Sequence, residues 1–359
     1  MREHHFPLPT PSIFSPRFGP PATLWSGKPP CLPAGQSPGY QATSCAIFKA
    51  FYLAIAGLAV FLHPAQGEED TRPDRRSLPR VEAIPLPYAQ VSVTNEGNEL
   101  IRYHFGADLP RPFWYPLIGP GGRSYTRMGH PHDPVGHGHH NSLWIAHADV
   151  GGVSFWADSD PGKVLHSRLE LLEDGQDRAS VITTSQWVDT RSGKVLMVDR
   201  RYWEVAPLDK GEWYLTIRLE LSAPKGGNVT LGTTPFGLLG VRVAKTISVA
   251  DGGGRILNSE GGLNEKGCFR LPARWVDYSG PVTPDRDGGI TIMDHPENPS
   301  FPTPFHVRDD GWFCPAVTLK GPIKIEDGQT LRLTYRLWIH EGVPGREVIE
   351  ARWREFAGP

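Results

Sequence analysis

The sequence predicts an all-β fold, a large antiparallel sandwich or barrel with one short helix near its C-terminal end. From about residue 88 onward, short alternating or apolar runs are separated by Gly, Pro, Asp and Asn. The run WYLTIRLEL alternates strictly, with Thr216, Arg218 and Glu220 on the face opposite its leucines, as expected of a half-buried antiparallel strand. Turn-forming segments such as DSDPGK and DTRSGK recur at intervals suited to hairpins.

Length, charge and motifs limit the classes of function. The chain has 359 residues with 37 Lys+Arg against 39 Asp+Glu, a net charge of −2 that gives no attraction for nucleic-acid phosphates. No apolar run reaches the roughly 18–20 residues that span a bilayer, which excludes a polytopic membrane protein. GxxxxGK[ST], GxSxG and a GxGxxG between strand and helix are absent, so we expect no nucleotide cofactor.

The N-terminal segment predicts export. Residues 1–48 are rich in Pro, Gly and Ser, which is typical of a disordered leader. Lys49, the apolar run 50–62 and the small residues Ala65 and Gly67 then resemble a signal peptide cleaved near Gly67, with a buried core helix as the alternative. We therefore expect a leader with signal peptide over 1–67, a linker over 68–87 and a single β domain over 88–359. The mature protein would be periplasmic or extracellular, with no membrane contact beyond the signal segment.

The elements of this domain are predicted from their local patterns. The candidate strands, in chain order, are AQVSVTNEG, ELIRYHF, VSFWAD, ASVITTSQWV, KVLMVDRRYWEV, EWYLTIRLELSA, ITIMDH, AVTLK and LRLTYRLWIH. A helix is predicted over Gly345 to Phe356, where Val348, Ala351, Trp353 and Phe356 approximate an apolar stripe.

Histidines form the most informative cluster. Six of the 14 His lie between residues 130 and 147, in a Gly-rich loop: His130, His132, His137, His139, His140 and His147. Neutral imidazole binds divalent metals through one nitrogen, so we expect His137, His139 and His140 to bind one ion of Zn, Cu, Fe or Ca. His140 and His147 are also candidates for acid/base catalysis. The alternative is a polar surface loop whose histidines contact only the backbone.

Two tryptophans follow this loop. Trp144 and Trp156 are candidates for substrate binding, because indole rings stack on the C–H faces of sugars, although core packing is the commoner role of a Trp.

A second polar cluster lies in ITIMDHPENPSFPTPFHVRDDGWF. Asp294, His295 and His306 are candidates for a catalytic base or proton relay, and Arg308 for binding substrate oxygens. Between the two clusters, Arg242 and Glu265 follow Gly-rich turns and are further candidates for substrate binding. The alternative is a rigid loop with surface charges. A single catalytic pocket requires the His loop and this second cluster to lie close together.

The strings HGHHNSLWIAHADVGGVSFW, DHPENPSFPTPFHVRDDGWF and LRLTYRLWIHEG resemble those of an exported bacterial family labelled PmoA-like, or methane oxygenase PmoA. The resemblance covers about Val91 to Phe356, and departs from the pattern at Gly136 and Gly138. It implies a galactose-mutarotase-like supersandwich. With that fold, the resemblance implies a role in carbohydrate chemistry. It does not imply the oxidation of methane, because the methane monooxygenase subunit of that name is an integral membrane protein and this chain has no membrane-spanning run.

Three hypotheses of function follow. The first is an exported carbohydrate-active enzyme, a lyase, hydrolase or isomerase, whose His-rich pocket acts on a small-molecule or glycan substrate. The second is a copper- or iron-dependent oxidoreductase, as the family label suggests. The third is a non-catalytic glycan-binding protein that uses Trp144 and Trp156.

Overall fold

A computed structural model describes residues 78–129, 133 and 137–358. The predicted leader and signal peptide lie outside the described residues, as do His130 and His132. Within the part of the chain that is described, no helix is long and apolar enough to cross a membrane.

The described residues form twenty strands and three α-helices. The strands are β1 (Val81–Leu86), β2 (Gln90–Asn95), β3 (Asn98–His104), β4 (Phe113–Gly119), β5 (Arg123–Ser124), β6 (Leu143–Ala146), β7 (Gly162–Glu173), β8 (Ala179–Asp189), β9 (Lys194–Pro207), β10 (Trp213–Ser222), β11 (Val229–Leu231), β12 (Leu238–Arg242), β13 (Arg255–Asn258), β14 (Leu271–Pro272), β15 (Trp275–Thr283), β16 (Arg286–Asp294), β17 (Pro304–Arg308), β18 (Trp312–Pro315), β19 (Ile323–Ile325) and β20 (Thr330–Glu341). The helices are α1 (Val249–Gly252), α2 (Asn264–Cys268) and α3 (Arg346–Ala357).

These strands build two large sheets. The ten-stranded sheet has the order β1-β2-β3-β4-β6-β12-β18-β17-β14, with β5 paired to β4. The eight-stranded sheet has the order β13-β15-β16-β20-β10-β9-β8-β7, and β11 pairs with β19 separately. The pairs in both large sheets are antiparallel, as between β10 and β20 and between β6 and β12. The predicted all-β antiparallel fold with a short C-terminal helix is therefore confirmed.

The main core lies between the two large sheets. On β10 the predicted alternation holds, since Leu215, Ile217 and Leu219 are fully buried while Arg218 is exposed. The Trp203 ring of the eight-stranded sheet packs within 6 Å of rings from the ten-stranded sheet, including Trp114 at 5.9 Å. Because each buried aromatic side chain removes about 150–250 Å² from water, this interface supplies much of the stability of the domain.

The ten-stranded sheet carries a second apolar layer on its outer face. Leu143 and Ile145 of β6 point into the main core, whereas Trp144 belongs to a separate cluster with Phe113 and Trp312. β18 follows the same alternation, with Trp312 and Cys314 in the outer cluster and Phe313 in the main core, because successive side chains point to opposite faces of a sheet. Polar side chains at neighbouring outward positions therefore lie on this layer.

Four sequence predictions need correction. VSFWAD and AVTLK are turns and irregular chain, stabilised by turn hydrogen bonds such as Asp160 N to Ala157 O and Leu319 N to Ala316 O. The predicted linker 68–87 contains β1, which pairs with β2 along its whole length. In the C-terminal helix, Val348 is 51% exposed, and Ile349 is buried with Phe356 instead. That helix buries the stripe that meets Trp275 and Trp338 of the eight-stranded sheet.

Gly240 on β12 makes room for Trp144, its partner across the strand pair. A Cβ atom at Gly240 would lie 2.5 Å from the Trp144 ring. We expect Gly240→Ala to lower the free energy of unfolding by ~1–3 kcal/mol, because a buried indole cannot move without disturbing its neighbours. Urea unfolding measures the change. Gly321→Ala is the control, since its Cβ would have no atom within 4 Å, and an equal loss in both variants would contradict the explanation.

Candidate functional site

The candidate site lies on the outer face of the ten-stranded sheet, where β6, β12, β18 and β17 are adjacent. Trp312 of β18 is its central ring: His306 stacks on it at 4.4 Å and His140 packs against it at 4.8 Å between ring centroids. The Trp156 and Phe236 rings lie 5.9 and 6.0 Å from Trp312. The register explains this grouping, because His306 pairs with Cys314 and is adjacent to Trp312 on the same face.

The His loop, residues 137–141, is held against the start of β6. Gly129 N donates to His140 O at 2.7 Å, and a Cβ at Gly129 would collide with the backbone of Gly138, so only glycine permits this approach. His140 stacks on Trp144 with 5.0 Å between ring centroids and 16° between planes. The ring of His140 is therefore fixed between two indoles.

Arg111, in the chain leading to β4, fastens this loop from below. Its guanidinium donates to His139 O at 3.2 Å, to Asn141 Oδ1 at 2.8 Å and to Trp156 O at 2.6 Å. It also pairs with Asp158 at 3.1 Å, although the Arg111 side chain is only 1% exposed. One buried arginine thus joins two segments of the site, and nothing in the sequence pattern had marked it.

A charged network borders the same ring cluster. Asp310 lies 2.8 Å from His137 Nδ1 and 3.3 Å from Arg242 Nη1. Arg242 is also 3.6 Å from Asp133, which Arg127 binds at 2.8 Å. Burial alone would raise the pKa of Asp310, but the hydrogen bond from His137 and the charge of Arg242 hold it below its usual value.

Arg308 and Glu265 form the accessible edge. Arg308 Nη1 lies 3.1 Å from Glu265 Oε1, and its guanidinium sits 5.7 Å from the centre of the Phe269 ring. Phe269 in turn contacts His306 with 4.8 Å between centroids. Arg308 is 42% exposed and Asp310 28%, whereas His306 is 7% and His140 1% exposed, so these charges lie nearer the solvent than the two imidazoles.

Hydrogen bonds to fixed partners decide which nitrogen of each imidazole carries the proton. His306 Nδ1 lies 3.1 Å from Pro235 O, and a carbonyl only accepts, so Nδ1 carries the proton and Nε2 a lone pair. Among the described residues no hydrogen-bond partner occupies that Nε2. His140 Nδ1 lies 3.5 Å from Arg242 Nη1, and a guanidinium only donates, so the proton of His140 is on Nε2.

Both rings are neutral near pH 7. Burial lowers the pKa of His306 to about 4. Burial, together with the neighbouring His139 and Arg242, also lowers the pKa of His140 far below its usual value. The site therefore holds one neutral imidazole with a free acceptor nitrogen and another with a donor nitrogen.

The two predicted substrate-binding tryptophans lie beneath the surface of the site. Trp144 is fully buried beneath His140 and Trp156 is only 7% exposed, so both support the site from within. Trp144 has no exposed face on which a sugar could stack, because it is fully buried and His140 covers it. The glycan-binding hypothesis loses the rings on which it depended.

Both ring nitrogens of His147 have hydrogen-bond partners inside the protein. It is fully buried, with Nδ1 2.8 Å from Asp149 O and Nε2 2.9 Å from Thr318 Oγ1, so both nitrogens are occupied. The predicted catalytic role of His147 therefore has no free nitrogen to serve it.

Burial lowers the pKa of His147 from 6.5 to about 4. Between pH 6.5 and 4 the unfolded chain is protonated at His147 and the folded protein is not. The free energy of unfolding therefore falls as the pH drops through this range. We expect His147→Gln to reduce the linked proton uptake on unfolding by about one in this window. Urea unfolding at a series of pH values measures it. An unchanged pH slope in the variant would show that the imidazole is charged when folded.

Asp294 and His295 lie elsewhere. Asp294 ends β16 in the eight-stranded sheet, where its carboxylate accepts from Asn298 Nδ2 at 2.7 Å and Thr303 N at 2.9 Å. His295 packs against Phe356 of α3. The predicted catalytic pair is thus separated from His306, because the chain passes from one sheet to the other between residues 294 and 304. Of the four residues predicted in the second cluster, His306 and Arg308 lie at the candidate site and Asp294 and His295 do not.

The predicted metal ligands face one another without forming a ligand set. The His137 and His140 rings are stacked at 4.8 Å, and His139 meets His140 edge-on at 4.6 Å. Within 78–129, 133 and 137–358 no group of three or more His, Cys, Asp or Glu is arranged to hold an ion. A divalent metal at these histidines stays a prediction. Cys268 and Cys314 are free and buried.

Comparison with known families identifies the chain. A family of unknown function, DUF6807, matches residues 90–354. The chain belongs to this family. The expected membership of the PmoA-like family is therefore wrong, since DUF6807 is the family that matches. The oxidoreductase hypothesis rested on that label and loses its support. No curated protein matches the sequence.

Several solved structures resemble the DUF6807 chain at low identity. A proposed mutarotase, YeaD, from Salmonella typhimurium is 12% identical, with 74% of this chain and 96% of that chain covered and a TM-score of 0.32. A heparinase III is 11% identical, with 74% and 37% covered and a TM-score of 0.32. The 4-alpha-glucanotransferase of Thermococcus litoralis is 11% identical, with 72% and 39% covered and a TM-score of 0.29. The chain therefore spans less than half the length of the heparinase and of the glucanotransferase.

Proposed function

We propose that this protein is a carbohydrate-active enzyme that transfers protons on a sugar, with chemistry of the isomerase or lyase type. The observation that carries the proposal is the pair of neutral imidazoles of opposite polarity against Trp312. His306 offers a lone pair at Nε2 and His140 a proton at Nε2. Isomerisation or elimination next to a sugar carbonyl needs a base for the carbon-bound proton and a hydrogen-bond donor for the oxyanion that forms. A neutral imidazole supplies the first through its lone pair and the second through its N–H.

The surroundings of the two histidines favour a substrate with many hydroxyl groups. Aromatic rings of Trp312 and Phe236 supply apolar surface, and Arg308 at the entrance supplies donors for hydroxyl or carboxylate oxygens. An apolar wall with a few convergent polar groups is typical of a small-molecule site. We therefore propose that Arg308 and Arg242 bind substrate oxygens, with Glu265 holding Arg308 in place.

Hydrolysis is less well supported than isomerisation or elimination. A glycosidase ordinarily uses two carboxyl groups, one of them protonated near pH 7. At this site Asp310 is bound by His137 and Arg242, which keep its pKa low, and Glu265 is bound by Arg308. Neither carboxylate is suited to be the acid.

Proton exchange in heavy water tests the proposal. The purified protein would be incubated in D₂O with reducing sugars, uronic acids and unsaturated or acidic disaccharides, and substrate C–H signals followed by NMR. We expect one class to exchange a carbon-bound proton or to undergo elimination faster than in buffer. Mutarotation followed by polarimetry covers the case in which only O–H and ring-opening protons move. Absence of all three activities across the panel would refute the proposal. Export of the protein, which we also propose from its N-terminal segment, would place these substrates outside the cytoplasm.

A further inference from the structure

A cavity lies on the outer face of the eight-stranded sheet, away from the histidine site. It has a volume of about 400 Å³ and is lined by β10, β20, the loop after β16 and the end of α3. Its polar lining includes Arg218, Arg332, Arg336 and His295, with Glu220 and Glu297 as the carboxylates. Its place on the other large sheet separates it from the histidine site.

Arg336 is held in position through its Nε and its stacking contacts, and its two terminal nitrogens bind no described carboxylate. Its Nε donates to Thr216 Oγ1 at 3.0 Å, and its guanidinium lies 4.8 Å from the ring centres of both Tyr214 and Phe356. The register sets this geometry, because Thr216 and Arg336 are direct partners across β10 and β20. No described carboxylate lies within ion-pair distance of Arg336.

Arg218 lies one pair further along the same face, opposite Thr334. It stacks over Tyr202 at 5.2 Å and likewise has no described carboxylate within ion-pair distance. The other arginine of the lining differs, since Arg332 binds Glu220 at 3.3 Å. Of the three arginines, Arg218 and Arg336 are therefore the ones whose charge is not neutralised by a partner.

The remaining groups around the cavity do not neutralise them either. Glu220 is shared between Arg332 and Arg200. Glu297 is 88% exposed and lies beside His295 at 3.8 Å. Glu204 and Glu355 act on Arg336 from beyond ion-pair distance. Glu204 is bound by Tyr202 and Arg178, and Glu355 by Arg352. Burial lowers the pKa of His295, and the positive charges of Arg218 and Arg336 lower it further. The cavity therefore carries an excess of positive charge.

We propose that this cavity binds a small oxyanion, a carboxylate or sulfate group, between Arg218 and Arg336. The Arg336 guanidinium, held by Thr216, and the exposed Arg218 guanidinium over Tyr202 have N–H donors that match the oxygens of such an anion, and the Phe356 ring in the lining leaves apolar surface for the body of the ligand. A sugar acid and an inorganic anion share this chemistry. The proposal is independent of the histidine site.

Calorimetric titration at low ionic strength tests it with three probes: sodium glucuronate, sodium sulfate and glucose. We expect wild-type protein to bind glucuronate or sulfate and not glucose. Glucuronate binding well above that of sulfate would assign the site to acidic sugars, and equal binding would assign it to the oxyanion alone. Arg218→Gln and Arg336→Gln should each weaken binding at least tenfold, which is about 1.4 kcal/mol at 25 °C.

Two controls separate the site from general charge and from the histidines. Arg332→Gln removes the same charge from an arginine that already has a partner, and we expect its affinity to stay within twofold of wild type. His306→Gln should leave anion binding unchanged. If Arg336→Gln melts at a lower temperature than wild type, its weaker binding could reflect unfolding. The binding of Arg218→Gln then decides the test, because Arg218 is exposed and its loss should leave the fold intact. No binding of either anion by wild type, or equal weakening by Arg332→Gln, would overturn the proposal.

Discussion

Replacing His306 by Gln is expected to reduce turnover by about 10²–10⁴-fold on any sugar that the wild-type protein converts. Gln retains a polar group of similar size but has no basic nitrogen, so it can occupy the space beside Trp312 without accepting a proton. The Michaelis constant should change far less than the turnover number, because the loss falls on the transition state. Steady-state rates of the purified variant measure both.

The matched control for this prediction is His166→Gln. His166 is a half-buried imidazole whose ring packs against Phe105 at 4.3 Å, away from the candidate site, and we expect wild-type rates. Equal losses in the two variants would mean that the effect is one of stability and would remove His306 from the mechanism.

The pH profile gives a second measure of the same residue. Because the pKa of His306 is lowered to about 4, the ring is neutral and able to act as a base above this value and is protonated below it. The rate should therefore be constant through pH 5–7 and fall as the pH drops through about 4. This acid limb should be absent from the residual activity of His306→Gln. A limb centred near 6.5 would indicate that a solvent-exposed histidine is the base.

The class of fold could be predicted because alternation is local. A strand such as β10 reveals its two faces in its own sequence, and the burial of Leu215 and Leu219 against exposed Arg218 follows from that pattern alone. The catalytic hypothesis required the second polar cluster to lie close to the His loop, and no pattern in the sequence could establish this. The structure places His306 and Arg308 beside that loop's ring cluster.

The other candidates depended on facts that are not local. Asp294 and His306 are close in the sequence, but the chain changes sheets between them. Trp144 looks like a surface ring beside a polar loop, yet its strand lies between β4 and β12, and the loop folds back over it. Trp312 went unnoticed because its importance comes from its pairing with Arg242 and Arg308 across neighbouring strands.

Arg111 is the extreme case, because two of its hydrogen-bond partners are backbone carbonyls that no residue pattern can reveal. We expect Arg111→Met to lower the free energy of unfolding by about 3–4 kcal/mol. Met fills much of the same volume, but His139 O, Trp156 O and Asn141 Oδ1 lose their donor, and a buried acceptor without a partner costs ~1–3 kcal/mol. Urea unfolding measures the loss.

The same substitution should also reduce turnover at least tenfold in the fraction that stays folded, since the His loop and the Trp156 segment lose their common support. Arg111→Lys keeps the charge but cannot make the forked contacts, so we expect it to recover little of either property. Asp158→Asn is the control: this partner is 49% exposed, and in the variant Arg111 keeps its bonds to His139 O, Asn141 Oδ1 and Trp156 O, so we expect a much smaller loss. Equal losses in Asp158→Asn and Arg111→Met would contradict this explanation. They would show that the ion pair with Asp158 positions the histidines, and that the hydrogen bonds from Arg111 to the loop do not.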